Sequence, residues 1–290
     1  KYSNMSISPS RSFQIKANEK GQTIPIQISE LAGIKAENLG LATWGASVVL
    51  ANVLYRWKIA EWVTSLQNAT SEHNITSAYG RENFKNGQNV DNEPKNTIPI
   101  LELGSGTGLS GLTASNLWSL PAILTDLPSI IPGIDLNISL NTQTTRCFSG
   151  SLDWTFPTTL HIPSTNTTFS TPSSSASIIL AADTCYTSSH PNLISTTVSH
   201  WLARERNSRA IFCYPLRMAY VDHARNLWEK MEEKGFVCLE EGKETSGGET
   251  YGEFERDLPY EWSVWGWREF HPEAAAKREE EKGQSVWMSW

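Results

Sequence analysis

No stretch of this 290-residue sequence is apolar enough, for long enough, to cross a bilayer as a helix. Cysteine is scarce: Cys147, Cys185, Cys213 and Cys238 lie far apart with no C-x-x-C pair, so reduced core thiols are expected rather than disulfides or zinc. The six histidines show no ligand-like spacing, and no metal is expected. Lys and Arg form no stripe, and a net charge of -7 argues against a nucleic-acid scaffold. An acidic surface suits a basic partner instead, such as an exposed lysine on another protein. Sequons occur at Asn4, Asn68, Asn74, Asn137 and Asn166, yet no secretory leader is visible. The expected compartment is therefore the cytoplasm, with the nucleus as the alternative. The chain opens on Lys1 rather than Met, so a missing upstream segment is expected.

Glycine, by contrast, is concentrated where it matters. Pro99-Ile-Leu-Glu-Leu-Gly-Ser-Gly-Thr-Gly-Leu-Ser-Gly111 reads as a strand, a tight turn and a helix start, the place where an α/β protein holds a nucleotide-like cofactor. Glycines let backbone approach a ligand closely, and a helix N-terminus offers free N–H groups. Gly106, Gly108 and Gly111 also fit a G-x-G-x-x-G dinucleotide fingerprint. Glu102 separates the two cofactors. A carboxylate there suits the cationic amino acid end of S-adenosylmethionine and would repel a pyrophosphate.

The remaining pattern alternates strands and helices, which predicts a mostly parallel sheet covered on both faces. Residues 1–40 form an N-terminal arm with a short β-hairpin near Ile24–Ile28, and Trp44–Trp62 has helical spacing. Strands are expected at Ile98–Leu103, Ala122–Thr125, Cys147–Leu152, Ser177–Ala182, Arg209–Tyr214, Gly235–Leu239 and Trp262–Phe270. Helices are expected at Leu109–Leu117, Ile130–Leu140, Leu193–Leu202 and Met218–Lys234. Residues 65–97 read as a surface insertion, and the Ser/Thr/Pro-rich residues 158–177 as a mobile loop. The main domain spans 41–270, and 271–290 is a tail with a solvated helix.

Ligands of open α/β sheets sit at the carboxyl ends of the strands, and acids recur there: Glu102, Asp126, Asp153 and Asp183. Asp126, about twenty residues past the glycine turn, is placed to hold ribose hydroxyls, or to cap the next helix. Asp153 and Trp154 flank the position of an adenine ring; a buried core indole is the alternative for Trp154. Tyr214-Pro-Leu-Arg217 ends the fifth strand and is read as lining an acceptor channel.

Taken together, Trp44-Gly-Ala-Ser47, the Leu-Glu-Leu-Gly-Ser-Gly-Thr-Gly loop, Leu124-Thr-Asp-Leu-Pro128, Asn137, Leu152-Asp-Trp154 and Ala182-Asp-Thr-Cys-Tyr186 resemble one family. It is the seven-β-strand protein-lysine methyltransferases, of the methyltransferase-like 21 and fungal elongation-factor group. The resemblance covers roughly residues 40–240, and Gly40–Gly45 has the fungal form. It implies a Rossmann-like seven-stranded sheet and S-adenosylmethionine as cofactor. It implies cofactor contacts at Trp44, Gly104, Ser105, Gly106, Asp126, Trp154 and Ala182, and an acceptor site at Asp183 and Tyr186. The segments 65–97 and 158–177 depart from the family pattern and bear on the substrate groove more than on the cofactor pocket. The expected partner is a cytosolic protein such as a translation elongation factor, bound by a monomer without nucleic acid or membrane.

The chemistry supports the same reading. A lysine ammonium, with a pKa near 10.4 in water, must lose a proton before its nitrogen can attack. Asp183 is placed to orient the amine and Tyr186 to wall it; a helix cap and a core aromatic are the alternatives. The segment lacks the Asn/Asp-Pro-Pro-Tyr pattern that grips planar nitrogens, which points to an aliphatic amine. A small-molecule N-methyltransferase, a silent binding protein of the same fold and, more distantly, a nicotinamide oxidoreductase are the alternatives.

Overall fold

The computed structural model describes residues 10–30, 43–57, 59, 62, 96–142, 146–245 and 258–287. An N-terminal hairpin, β1 (Arg11–Lys16) and β2 (Thr23–Ile28), precedes α1 (Gly45–Val53). The main sheet then builds from β3 (Asn96–Leu103), β4 (Ala122–Asp126), β5 (Cys147–Ser151), β6 (Thr159–Ile162), β7 (Thr167–Ser170), β8 (Ser174–Ala182), β9 (Arg209–Pro215), β10 (Phe236–Thr245) and β11 (Pro259–Trp267). Helices α2 (Leu109–Trp118), α3 (Ile131–Leu140), α4 (His190–Trp201), α5 (Val221–Glu233) and α6 (Pro272–Trp287) connect and follow them.

The order across the sheet is β10-β11-β9-β8-β3-β4-β5-β6-β7. The contiguous run β9-β8-β3-β4-β5 is parallel, while β11 and β10 join it antiparallel. The central strands are buried on both faces, so alternate residues feed two cores. Ile178 and Leu180 face one, with Leu112 of α2 and Ile134 of α3; Ile179 and Ala181 face the other, with Val198 of α4 and Leu227 of α5. The predicted architecture of strands covered by helices on both faces is therefore present.

Three details differ from expectation. Residues 158–177 are not a loop: they hold the β6–β7 hairpin, which widens the expected seven strands to nine, and the start of β8. Leu160, Ile162 and Phe169 point into the core while Thr159 and Thr168 face outward. Thr is β-branched and suits a strand, so a composition that resembled a loop conceals period-2 patterning. Helix α1 stops at Val53 and tightens into a 3-10 turn at Leu54–Arg56, where Trp57 turns to pack edge-on against Trp262 with centroids 5.5 Å apart. The last strand ends at Trp267, and a 3-10 turn takes up Arg268–Phe270. The expected insertion at 65–97 lies outside the described residues up to residue 95.

The N-terminal hairpin docks through Phe13, Ile15, Ile26 and Ile28 onto the core that holds α1, α2 and α3. Asn137 of α3 ties it to the glycine turn: its Oδ1 accepts the Ser29 amide at 2.8 Å and its Nδ2 donates to the Thr107 carbonyl at 3.0 Å. That side chain is buried and bonded at both ends, which leaves no room for a glycan on this sequon.

Candidate active site

The carboxyl ends of β3, β4, β5, β8 and β9 meet at one edge, and the sequence-selected residues converge there. Strand β3 delivers the glycine turn. Gly104 sits at φ +63°, and a Cβ on it would lie 3.0 Å from Cζ2 of Trp154 and 3.1 Å from Cγ2 of Thr184. A side chain would fill the space that the indole closes. The Ser105 amide donates to the Thr125 carbonyl at 2.9 Å, and the Gly106 amide to Oδ2 of Asp126 at 2.9 Å. Two loop amides that a pyrophosphate would need are thus already used, one by a carboxylate.

Asp126 is half-buried, with Oδ1 accepting the Leu127 amide at 2.8 Å. Burial raises its pKa, and the Gly106 and Leu127 amides oppose that rise. The expected alternative, a cap on the following helix, is not what it does: α3 begins at Ile131, with Ile130 at its N-cap. Each oxygen keeps a lone pair after these bonds. Asp126 can therefore latch the turn and still accept ribose hydroxyls.

Glu102 lies just beneath this edge. It is only 2% exposed and lies beneath the first turn of α2, where a Cβ on Gly111 would be 2.6 Å from its Oε2. Burial pushes its pKa up to about 8, against the opposing pull of the Ser105 and Ser110 hydroxyls and the Gly111 amide. Among the described residues Oε2 has no partner at full hydrogen-bond geometry. Burial thus disfavours the charged form of the carboxyl to which the sequence reading gave a fixed negative charge.

After β5, Asp153 folds a turn by accepting the Thr155 amide at 2.8 Å and hydroxyl at 2.7 Å. That turn places Trp154 over Gly104, and the indole meets His190 edge-on with centroids 5.5 Å apart. The same imidazole meets Tyr186 edge-on at 4.3 Å. Its Nδ1 lies 2.7 Å from the Thr184 carbonyl, which only accepts, so Nδ1 carries the proton. Burial lowers the His190 pKa, with further lowering from His223 and an opposing rise from the Thr184 carbonyl. Trp154, His190 and Tyr186 form a continuous aromatic wall.

Strand β8 ends at the half-buried Ala182, and Asp183 follows at φ +53°, left-handed although not glycine. Its amide donates to the Cys213 carbonyl at 2.9 Å, tying the turn to β9. Its carboxylate accepts two bonds from Arg217, Nη1 to Oδ1 at 3.1 Å and Nη2 to Oδ2 at 3.0 Å. The same guanidinium lies over Trp44, 5.5 Å from the ring centroid. Tyr186 is 53% exposed, and its phenol is held protonated by burial and by the charges of Asp126 and Asp183. Cys185 is buried with its pKa pushed up to about 12, so it fills space and is no nucleophile.

The selected residues thus lie at this edge, with Glu102 buried just beneath its glycine turn. His190 was missed, because nothing in histidine spacing marks it. Pro191, which sets the first turn of α4 directly after the Asp183–Tyr186 segment, is the signal that would have found it. Among the described residues no group of three or more His, Cys, Asp or Glu is placed to hold a metal ion.

A lysine methyltransferase family model matches residues 22–234, and the chain belongs to that family. The chain is 26% identical over 226 residues to the protein-lysine N-methyltransferase EFM2 of Saccharomyces cerevisiae, covering 76% of this chain and 47% of that protein. It is 25% identical over 236 residues to the protein-lysine N-methyltransferase rrg1 of Schizosaccharomyces pombe, covering 78% of this chain and 62% of that protein. The chain therefore spans about half to three-fifths of the length of these relatives. Among solved structures, a TehB-like S-adenosylmethionine-dependent methyltransferase from Corynebacterium glutamicum aligns with a TM-score of 0.41 at 12% identity, over 70% of this chain and 98% of that one. S-adenosylmethionine is the cofactor that goes with this family. The space above Gly104, the free lone pairs of Asp126 and the indole of Trp154 fit it.

Proposed function

We propose that this chain transfers a methyl group from S-adenosylmethionine to the side-chain nitrogen of a lysine in a folded protein. The observation that carries the reading is Asp183: a carboxylate held in a left-handed turn by two bonds from Arg217, beside the aromatic wall that runs to the glycine turn. When bound, S-adenosylmethionine supplies an electrophilic methyl group on a sulfonium. In-line displacement needs alignment above all. Trp154, Asp126, Trp44 and Ala182 are the residues that would hold the cofactor. Asp183 orients the acceptor amine after its ammonium has lost one proton to water. The amine held this way would attack through its nitrogen lone pair, the cofactor would supply the methyl with the C–S electrons left on sulfur, and a second amine proton would leave to water.

A translation elongation factor is the proposed partner, supported by the resemblance carried by Trp44–Ser47 and Asp183–Tyr186 and by two fungal relatives named as protein-lysine N-methyltransferases. A monomer acting in the cytoplasm completes the proposal. A pocket closed by residues 158–177 would have supported the small-molecule alternative, and that segment instead extends the sheet beyond β5. The test uses protein extract from cells lacking the gene, labelled S-adenosylmethionine, and mass spectrometry of the labelled band. Methyllysine in one protein is expected, and label on free amines alone overturns the reading. Asp183→Ala should lose transfer while calorimetry shows cofactor binding retained; a fully active variant removes the role given to Asp183.

A further inference from the structure

Among the described residues five large apolar side chains stand in solvent: Leu127, Leu140, Phe156, Tyr186 and Met218. One exposed apolar residue is ordinary, but several gathered in one place mark a contact surface. Leu140 lies apart, as the last residue of α3, which carries the chain away from the ligand edge. The other four occupy the loops that leave the carboxyl ends of β4, β5, β8 and β9, the edge that holds the candidate active site. Across the parallel run β9-β8-β3-β4-β5 they span about 19 Å at the usual strand spacing.

The site itself fixes their backbones. The Leu127 amide is the one that Asp126 holds at 2.8 Å, and the Phe156 amide donates to the Asp153 carbonyl at 2.9 Å in the turn that places Trp154. Met218 follows Arg217, which holds Asp183, in a turn closed by the Tyr220 amide on the Arg217 carbonyl at 2.9 Å. Phe156 is 74% and Met218 92% exposed, so neither adds much to the core. Both present apolar surface from ordered backbone, which keeps the entropic cost of binding low.

What covers them follows from reach. Asp183 is sunk, with its side chain 10% exposed, and a lysine has only a four-carbon stem. An amine brought to Asp183 therefore carries its own backbone down to the strand ends, and the surface around that lysine falls on the loops at either side. The acids Asp126, Asp153 and Asp183 at this edge, and a net charge of -7, suit a partner that is basic there. Building on the lysine reading above, we propose that Leu127, Phe156 and Met218 form a docking rim for the acceptor protein, which seats the apolar side chains flanking its lysine on them. Tyr186 joins the rim to the acceptor wall. A free amine fills the centre alone and leaves the rim uncovered.

The test takes the protein isolated from the labelled band as acceptor. It compares wild type with Phe156→Ser, Met218→Ser, the two combined, and Leu140→Ser as an exposed apolar position off the rim. Each rim substitution should raise KM roughly fivefold, as for an interface anchor, and the pair by about the product of the two, with kcat unchanged. Leu140→Ser should change neither. A second readout needs no turnover: the same acceptor should bind the cofactor-free chain with Kd raised in parallel, while calorimetry shows S-adenosylmethionine affinity unchanged. A double variant with wild-type KM and Kd overturns the proposal, as does Leu140→Ser raising KM as much as Phe156→Ser. Lost cofactor affinity in the rim variants overturns it too, because the pocket and not the rim has then changed. A wild-type dimer in light scattering that the double variant abolishes gives the rim to a second copy instead. Wild-type binding to phosphatidylcholine vesicles that the double variant loses gives it to a membrane, and either result overturns the proposal. Wild type that labels only free amines overturns the lysine reading itself; transfer to protein lysine with KM unmoved overturns the rim alone.

Discussion

Oδ2 of Asp126 accepts the amide of Gly106 at 2.9 Å, although the whole of α2 lies between them in sequence. One carboxylate therefore fixes the glycine turn and faces the ligand edge, so the two roles cannot be removed separately by truncation. Asp126→Ala should weaken S-adenosylmethionine binding roughly 10- to 100-fold, as expected for losing a charge-assisted hydrogen bond of about 1.5–3 kcal/mol. Calorimetry reads this directly, and affinity within twofold of wild type would remove Asp126 from the site.

Glu102 gives the fold a pH signature. Its pKa is raised from 4.5 to about 8 by burial, so the folded state holds a proton that the unfolded chain releases near 4.5. The stability this contributes is complete below about pH 4.5 and is lost as pH rises through about 8, a span worth several kcal/mol. Glu102→Gln cannot titrate, so the difference in unfolding free energy between variant and wild type should shift in the variant's favour between pH 5 and 8. Parallel denaturation curves across that range would refute the assignment.

Gly104 and Gly235 both have positive φ, at +63° and +88°, but their surroundings differ. A Cβ on Gly104 meets Trp154 at 3.0 Å, while one on Gly235 meets nothing within 4 Å. Both alanine variants bear the left-handed penalty of roughly 1–2 kcal/mol. Gly104→Ala should in addition lower cofactor affinity at least tenfold, whereas Gly235→Ala should leave it unchanged. Equal affinities in the two variants would show that Trp154 does not frame the ligand.

The β6–β7 hairpin can be tested through its core. Leu160 is fully buried, and Leu160→Ala should cost about 2–5 kcal/mol of unfolding free energy. A cost below 0.5 kcal/mol in denaturant titration would mean that residues 158–177 do not pack as described.

The legible parts of the sequence were those whose signal is local. An apolar run ending in an acid and then a turn marks a strand that delivers a carboxylate to the ligand edge, and Asp126, Asp153 and Asp183 were found this way. The hairpin stayed hidden because Thr serves loops and strands equally, and Leu160, Ile162 and Phe169 are widely spaced among hydroxyls. Helix α1 was drawn too long because Trp57 and Trp62 continue its apolar periodicity while packing elsewhere. Glu102 was placed correctly in the chain, but its charge state depends on burial beneath Gly111, which no local pattern encodes. The pairing of Arg217 with Asp183 joins two strand ends 34 residues apart, and only the sheet order brings them together.

Asn137 spans the N-terminal hairpin and the glycine turn with a single amide group. The ligand edge is thereby braced from behind by residues that precede the sheet altogether. A protein trimmed to start after residue 30 would keep every strand-end acid and still leave the Asn137 carbonyl without its Ser29 partner. The entry point of the chain is in this sense a remote support for its methyl-donor pocket.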